Sequence, residues 1–579
     1  MAVVFSLFVL VLAGCGSGDR APVADYIFTN GKIITVNDQL PVVEAVAIQG
    51  DRILAVGEVG QIEQFSGPQT RVIDLQGYAM VPGLIEGHTH PISAALAEKD
   101  GVIPSIHSFE DIRSHIANVA SELPDEELIF VPKVYSTRLK EGRYPDRYEL
   151  DEMSEGHPVM LDNGYACALN SKALELAEIT RNTRDPENGK IIRDQKRTPV
   201  GLVLGARQLV SSLLKRRVFT EEDRLWALRE MQKAYHKVGI TGMVDGAQDA
   251  EGLRLYQKLR REGWLTVRTT VTVRVNSEAP IEDVKEEILS IGALSGFGDE
   301  MLRIGHLKFA LDGGILIGTA YLREPYGENT EVYGFDDAEY RGVLRVSREK
   351  TIELVKFANR LGWRVTAHST GGASTDVLLE AFEEADKEIP IRGRRFSVIH
   401  GNFPNPDALA RAARLGVVLD MQPAWYSLDG PALSKVLGPE RMKTFHPYKS
   451  AFDAGVVVAG GADHMIKFDP REAINPFHPF YGMWMVVSRE TWDGQVFNPE
   501  ERVTREQALR MWTINNAYNT FEEDIKGSIE PGKLADFAII SKDYLSCPEA
   551  EIKDIETLAT IVGGKVMYLA DDADFLGLD

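Results

Sequence analysis

The sequence is poor in cysteine, and this scarcity excludes two kinds of site. Its 579 residues contain three cysteines, Cys15, Cys167 and Cys547, and no Cys-x-x-Cys pair. A disulfide framework or a thiolate zinc site would need more cysteines at closer spacing. Any bound metal must therefore be held by His, Asp, Glu or a modified Lys.

Basic residues are also in deficit. The chain has 64 Lys and Arg against 86 Asp and Glu, which gives a formal net charge of −22. A protein of this charge repels phosphate backbones, so we expect no nucleic-acid partner. The hydrophobic fraction of 44% and the charged fraction of 26% are ordinary for a soluble globular enzyme.

Long apolar runs are scarce after the N-terminus. Residues 1–14 are apolar but too short to span a bilayer comfortably, and they end in Leu12-Ala13-Gly14-Cys15, which resembles a bacterial lipobox. We therefore predict a lipoprotein signal peptide over 1–14, a lipid on Cys15 and a flexible tether over 15–24. The mature chain would lie on the periplasmic side of a bacterial cell envelope, anchored by this lipid or secreted.

Short strands at both ends of the chain predict a composite β-sandwich module. Residues 25–79 alternate strands and turns, and turn-rich residues 524–579 carry further short apolar strands. Within the first part, Tyr26–Thr29 and Lys32–Val36 flank Asn30-Gly31, a dipeptide typical of tight hairpins. We expect these two strands to pair as a hairpin, and the two terminal pieces to form one module.

Between the terminal pieces, residues 80–523 alternate strands with helical patterns, which favours an α/β fold with a parallel sheet. Eight strands and intervening helices predict a (β/α)₈ TIM barrel. The gap over about 95–238 is too long for one connection and predicts a large insertion after the first barrel strand. The eight candidate strands are Met80–His90, Thr241–Gly246, Thr266–Val275, Ile304–Gly313, Arg364–His368, Phe396–His400, Val417–Met421 and Val456–Asp463.

Metal-ligand side chains stand at the ends of these strands, where barrels place their active sites. His88 and His90 share one face of the first strand because side chains alternate along a strand. His368, His400 and Asp463 end the fifth, sixth and eighth strands. Four imidazoles and a carboxylate that converge in this way suit one or two divalent metal ions, such as zinc.

Several ordered blocks resemble the metal-dependent amidohydrolase superfamily, and within it the amidohydrolase-3 (YtcJ-like) branch. The resemblance runs from about Asp25 to Tyr568. The blocks are Val81-Pro82-Gly83-Leu84-Ile85-Glu86-Gly87-His88-Thr89-His90-Pro91, Asn170-Ser171-Lys172-Ala173-Leu174, Thr319-Ala320 with Tyr326, Thr513-Ile514-Asn515-Asn516-Ala517 and Gly527-Ser528-Ile529-Glu530-Pro531-Gly532-Lys533-Leu534-Ala535-Asp536.

The resemblance implies a role for each candidate ligand. His88 and His90 would bind the more buried metal, and His368 and His400 the second. Asp463 would be both a ligand and the general base. Lys308, on the fourth strand, would be carboxylated by CO₂ so that its carbamate bridges two metals; alternatively, it pairs with Asp312 four residues on.

The pocket departs from the branch at several positions. Tyr165 stands where the branch usually has a histidine, and residues 369–372 lack the carboxylate that usually follows the fifth-strand histidine. Substrate contacts are predicted at Tyr165, Gln422, Trp425 and His464; for His464, an extra metal ligand or a more distant partner of the site are the alternatives. Trp425 is equally compatible with a plain core position.

We therefore expect a hydrolase that cleaves a non-peptide carbon–nitrogen bond, of the amide type, in a small molecule. A metal lowers the pKa of bound water and polarises the carbonyl, while a carboxylate passes the proton to the leaving amine. The same site acting on an ester, lactone or phosphoester is the alternative within enzymes. A non-catalytic ligand-binding lipoprotein on this scaffold is the alternative outside them, since fold does not fix function. A homodimer is an open alternative to a monomer.

Overall fold

A computed structural model describes residues 22–99, 101–124, 126–186, 189–214, 218–327, 329–330, 332–334 and 337–578. The predicted signal peptide, Cys15 and the first part of the tether lie outside these ranges and stay predictions. Ala24 is already packed: it is 2% exposed, and its N–H donates to the carbonyl of Phe65. Along the described part of the chain, no helix is long and apolar enough to cross a membrane.

The strands alternate with helices through the middle of the chain and cluster at its two ends. In chain order they are β1 (Tyr26–Thr29), β2 (Lys32–Ile34), β3 (Val42–Val43), β4 (Ala45–Gln49), β5 (Arg52–Gly57), β6 (Arg71–Asp74), β7 (Ala79–Pro82), β8 (Leu84–Thr89), β9 (Ile129–Pro132), β10 (Val159–Asp162), β11 (Ala166–Leu169), β12 (Lys190–Arg193), β13 (Pro199–Leu204), β14 (Ile240–Gln248), β15 (Arg268–Arg274), β16 (Leu302–Ala310), β17 (Val365–Ser369), β18 (Ser397–His400), β19 (Val418–Met421), β20 (Val458–Gly460), β21 (Phe537–Ile540), β22 (Thr557–Val562) and β23 (Lys565–Leu569).

The α-helices mostly follow the barrel strands. They are α1 (Val59–Ile62), α2 (Pro91–Ala97), α3 (Phe109–Ala120), α4 (Arg147–Met153), α5 (Ser171–Leu176), α6 (Glu221–His236), α7 (Ala250–Glu262), α8 (Ile281–Ser290), α9 (Arg348–Leu361), α10 (Gly372–Glu388), α11 (Pro406–Leu415), α12 (Pro423–Met442), α13 (Tyr448–Asp453), α14 (Pro479–Ser488), α15 (Arg505–Met511) and α16 (Ile514–Thr520).

Eight parallel strands, β8 and β14 to β20, form the predicted barrel. The barrel closes where the first strand meets the last. Thr89 bridges to His464 in parallel, and the N–H of Asp463 donates to the carbonyl of His88 at 2.8 Å. The TIM-barrel prediction is confirmed.

The predicted first strand, Met80–His90, is wrong as a single element. It breaks at Pro82-Gly83, and the part before the break, β7, pairs with β2 and β21 outside the barrel. Gly83 also lies tightly against the barrel: an added Cβ there would come within 2.2 Å of the Thr241 hydroxyl. The break lets one chain pass directly from the β module into the barrel.

An asparagine on α16 holds the seam between the first and last barrel strands. The Asn516 side-chain amide donates to the carbonyls of Ile85, at 2.6 Å, and Gly460, at 2.8 Å. Gly87 permits this close approach, because a Cβ there would lie 2.5 Å from the Asn516 carboxamide oxygen. The Thr513–Ala517 block thus acts in the closure of the barrel.

The two ends of the chain form one β-sandwich, as predicted. A four-stranded sheet has the order β5-β4-β1-β6, and a six-stranded sheet the order β23-β22-β21-β7-β2-β3, so the second sheet mixes strands from both termini. The hairpin expected at Asn30-Gly31 is wrong: β1 and β2 lie in different sheets. Asn30 has a φ of 55°, and the turn it makes carries the chain from one sheet to the other.

The connection between β8 and β14 holds the predicted insertion. It contains a five-stranded sheet of order β12-β13-β11-β10-β9 with helices α3 to α5. Its apolar side chains form clusters of their own, for example Ile129, Leu150 and Leu161. The insertion is therefore a packed subdomain beside the barrel.

A buried ion pair links the barrel to the β module. Arg268 on β15 donates two hydrogen bonds to the Asp536 carboxylate, at 2.7 and 3.0 Å, and both side chains are 5% exposed. Asp536 also accepts the N–H of Gly563. Such bidentate pairing satisfies two charges that burial alone would penalise.

Removal of one partner should therefore destabilise the protein. We expect Asp536→Ala to lower stability by about 3–5 kcal/mol, because it leaves a buried guanidinium without its counter-charge. Thermal denaturation would measure this as a lower midpoint. Glu440→Ala, which breaks an exposed pair with Lys443, is the matched control and should leave the midpoint nearly unchanged. Equal shifts in the two variants would contradict this interpretation.

Candidate metal centre

Two predicted histidines and the predicted aspartate meet at the barrel seam. The nitrogen and oxygen ligand atoms of His88, His90 and Asp463 all lie within 4.8 Å of one another. Asp463 Oδ1 is 3.2 Å from His90 Nε2 and 3.7 Å from His88 Nε2. Asp463 adopts a left-handed φ of 54°, the kind of backbone strain that often marks a functional position.

These separations fit a divalent metal. Ligands bound to zinc at 2.0–2.2 Å in a tetrahedron lie about 3.3–3.6 Å from one another. The two His–Asp distances bracket that value, and imidazole nitrogen with carboxylate oxygen is a donor set that zinc accepts. The residues present thus fit the metal that the strand-end pattern predicts.

Lys308 lies beside this group on β16. Its ammonium nitrogen is 3.4 Å from His88 Nε2, and the side chain is buried. Burial lowers the pKa of Lys308 to about 8, against the opposing effect of the Asp463 and Asp420 charges. In the described part of the chain no contact joins Lys308 to Asp312, so the alternative pairing is not seen.

A second pair of histidines adjoins the first. His400 Nε2 lies 2.9 Å from His368 Nδ1, and the ring of His400 is 5.6 Å from that of His88. His400 also has a left-handed φ, of 78°. The structure thus brings together all six side chains predicted as metal ligands: His88, His90, Lys308, His368, His400 and Asp463.

Gln422 and Asp420 orient two of the histidine rings through contacts with their Nδ1 atoms. Gln422 Oε1 accepts a hydrogen bond from His400 Nδ1 at 2.7 Å, which leaves the lone pair of Nε2 pointing towards His368. Asp420 Oδ2 lies 3.4 Å from His88 Nδ1 and serves that ring in the same way. The Asp420–His88 contact was missed by sequence reasoning, although a lone carboxylate in the apolar run Val417–Met421 could have indicated it.

Glu86 ties the two sides of the seam together. Its Oε1 accepts the N–H of Ala462 at 2.6 Å and that of His88 at 3.3 Å. Gly461 lies against the same group, since a Cβ there would be 2.6 Å from Glu86 Oε1. One buried carboxylate therefore fixes the strand that carries the histidines to the loop that carries Asp463.

The carboxylate missing from residues 369–372 has a counterpart from the neighbouring strand. Asp312 accepts hydrogen bonds from the N–H groups of Thr370 and Gly371, at 3.0 and 2.8 Å, and from the Ser374 hydroxyl. Its Oδ1 lies 3.8 Å from His368 Nε2. Burial raises the pKa of Asp312 to about 6.

The four residues predicted to contact substrate differ in their burial and in their neighbours. Trp425 stacks on His400 with ring centres 4.3 Å apart, and Gln422 is fully buried against the same ring. Tyr165 is half-buried in the insertion. His464 is fully buried, with Tyr235 and the Lys467 carbonyl on its two ring nitrogens, a position that does not favour substrate contact.

Burial keeps three histidines of the site, His88, His368 and His400, uncharged. It lowers the pKa of His88 and His400 well below the usual value and that of His368 to about 3, and neighbouring positive charges add to the effect. Neutral imidazole is the form that ligates metals, so the site is ready for a cation at neutral pH.

A cavity of about 1120 Å³ opens beside His90. Its inner wall comes from the carboxyl ends of β14 and β15, and its outer wall includes Ile103 and Phe130 from the insertion. It is large enough for a drug-sized molecule.

Comparisons with known proteins agree with this fold. N-substituted formamide deformylase of Arthrobacter pascens is 26% identical over 94% of this chain and 98% of its own length. YtcJ of Bacillus subtilis is 26% identical over 94% of this chain and 99% of its own length. An uncharacterised metal-dependent hydrolase from Pyrococcus horikoshii shares the fold, with a TM-score of 0.65 at 23% identity over 91% of this chain and 99% of that one.

The family model described as "Amidohydrolase family" matches residues 71–568, which include the whole barrel and every residue of the site. This chain therefore belongs to the amidohydrolase family, in its YtcJ-like branch.

Proposed function

We propose that this protein is a metal-dependent hydrolase that cleaves an amide-type carbon–nitrogen bond, other than a peptide bond, in a small molecule. One observation carries the proposal: His88, His90 and Asp463 converge within 4.8 Å at the mouth of a barrel, beside a cavity of substrate size. The similarity to N-substituted formamide deformylase, whose name describes amide cleavage, supports the choice of bond.

Zinc is the metal we propose, held by His88, His90 and Asp463, with His368, His400 and Lys308 completing a second position. A divalent metal bound there would lower the pKa of water and polarise the scissile carbonyl. A second ion would require Lys308 as a carbamate, because an ammonium group has no lone pair to offer. The 3.4 Å distance between Lys308 Nζ and His88 Nε2 supports a role for Lys308 at the metal centre.

Asp463 is the general base in this proposal. It has two oxygens, so one can ligate while the other accepts a proton from water. The same carboxyl group then protonates the departing nitrogen, because an amine leaves poorly as an anion. Glu86 and Asn516 keep Asp463 beside the histidines, through Ala462 and the strand carbonyls.

Side chains that contact the proposed metal ligands orient their rings. Asp420 fixes the ring of His88, and Gln422 fixes that of His400. Such contacts raise ligand basicity and set the tautomer. Trp425, stacked on His400, keeps water from that side of the ring.

Asp463→Asn tests the proposed base. Carboxamide keeps the shape and a ligating oxygen but cannot accept the proton, so we expect turnover to fall by roughly 10²–10⁴-fold with metal and substrate still bound. Activity on an amide library, with elemental analysis of the purified protein, would measure both. Asp453→Asn, on the surface of α13, is the matched control and should keep full activity. If wild type and Asp463→Asn bound a ligand equally and neither turned it over, a binding protein would replace the hydrolase.

Lys308→Ala tests the carbamate. If Lys308 bridges two ions, the variant should hold less metal than the wild type, and short carboxylates or added bicarbonate should partly restore both metal and activity. Inductively coupled plasma mass spectrometry gives the metal count, and Lys443→Ala on the surface is the control. Unchanged metal content in the Lys308 variant would reject the bridging role.

We also propose that the mature protein is anchored at the cell envelope through Cys15. This rests on the sequence Leu12-Ala13-Gly14-Cys15 alone. Mass spectrometry of the N-terminal peptide from membrane fractions should find a lipid on Cys15, and Cys15→Ser should release the protein. An unmodified Cys15 in a soluble fraction would reject the anchor.

A further inference from the structure

The cavity beside His90 has two chemically distinct parts. Apolar side chains from α2, the insertion and the loop after β20 form most of its wall; examples are Leu96, Ile103, Phe130 and Ile466. Its inner end lies over the last residues of β14 and β15, next to the metal ligands. A molecule that fills it would place an apolar group outward and its reacting bond inward.

Arg274 stands at this inner end. It is the last residue of β15, and the sheet register pairs it with Lys308 on β16. Register partners on parallel strands project to the same side, so the guanidinium faces the side of the sheet that carries the metal ligands. Across the described chain, the Arg274 side chain donates no hydrogen bond and forms no ion pair, and it is exposed to the cavity.

The other charged groups around the cavity already have partners. Arg224 pairs with Glu251. Asp249 accepts the N–H groups of Glu251 and Gly252 at the start of α7, and Glu287 accepts the N–H of Asn276 at 3.0 Å. Arg274 is thus the cationic side chain of this wall that, in the described part of the chain, has neither a hydrogen bond nor an ion pair, although the carboxylates of Asp249 and Glu287 line the same cavity.

We propose that Arg274 binds an anionic group of the substrate, a carboxylate, close to the scissile bond. The substrate would then be an amide that carries a carboxylate on its amine side and an apolar acyl group, as in an N-acylated amino acid. This inference rests on the proposed hydrolase function and names its substrate class. Hydrolysis adds one water across the C–N bond and releases the acyl group as a carboxylic acid and the amine as an amino acid.

Guanidinium suits this task better than other cationic groups. Its planar donors match the two oxygens of a carboxylate, and such charge-assisted pairs are roughly twice as strong as neutral hydrogen bonds. Because the pair forms in the ground state as well as in the transition state, its loss should appear mainly in KM.

Two matched probes test the inference: N-hexanoylglycine and N-ethylhexanamide, which share the acyl chain and differ by the carboxylate. We expect the wild type, loaded with zinc, to hydrolyse N-hexanoylglycine at least tenfold more efficiently. Arg274→Gln should raise KM for N-hexanoylglycine about tenfold and change kcat/KM for N-ethylhexanamide less than twofold. Arg274→Lys should restore part of the preference, and Arg260→Gln, which breaks a surface pair with Asp299, should change neither probe.

The outcomes separate this inference from the hydrolase proposal. Equal hydrolysis of both probes, or an equal loss on both in Arg274→Gln, would overturn the role of Arg274 and leave the hydrolase standing. If the wild type hydrolyses neither probe, titration calorimetry should compare the binding of N-hexanoylglycine to the wild type and to Arg274→Gln. Binding that weakens about tenfold in Arg274→Gln would support Arg274 as the anion site without amide cleavage, whereas equal or absent binding would overturn it.

Discussion

Closure of the barrel between β8 and β20 is the constraint on which the site depends. It brings Asp463 to within 4 Å of His88 and His90, although more than 370 residues separate them in the sequence. The seam is held by polar groups: the Asn516 amide, the Glu86 carboxylate and the N–H of Asp463. Buried hydrogen bonds of this kind are costly to leave unmade, so the geometry of the ligands is fixed by the fold before any metal arrives.

The same burial that holds the seam also sets the chemistry of the ligands. Imidazoles surrounded by other imidazoles and by Lys308 cannot easily become charged, so they stay neutral and available. The strained φ angles of His400 and Asp463 show that the chain bends sharply where the strands end. Strain of this kind persists only when the surrounding structure over-determines it. Here the hydrogen bonds of Asp463 with the His88 carbonyl and the Asn475 amide, and that of His400 with Gln422, provide that support.

The sequence was enough for the barrel and for the grouping of His88, His90 and Asp463, because both rest on local rules. His-x-His on a buried strand and single His or Asp residues at later strand ends can each be identified from a few positions. The break at Pro82-Gly83 could not be predicted in this way. A continuous apolar run has the same sequence pattern whether it forms one strand or two strands in different sheets. Asp420 was missed for a related reason: its partner, His88, is distant in sequence, and only the register of β19 brings them together.

The role proposed for Arg274 could not be predicted from local sequence patterns. In the sequence it is one of many charged residues at the end of a strand, and nothing nearby distinguishes it. The role that we propose for it follows from the fold. The sheet pairs its strand with that of Lys308, and the neighbouring Arg224 has an ion-pair partner in Glu251. Apolar side chains of the insertion line the same cavity. The barrel thus positions the candidate metal ligands, while the insertion and the outer strand ends line the cavity beside them. Members of one family with the same ligands can differ in substrate, because binding residues are often carried by loops that a rigid scaffold positions.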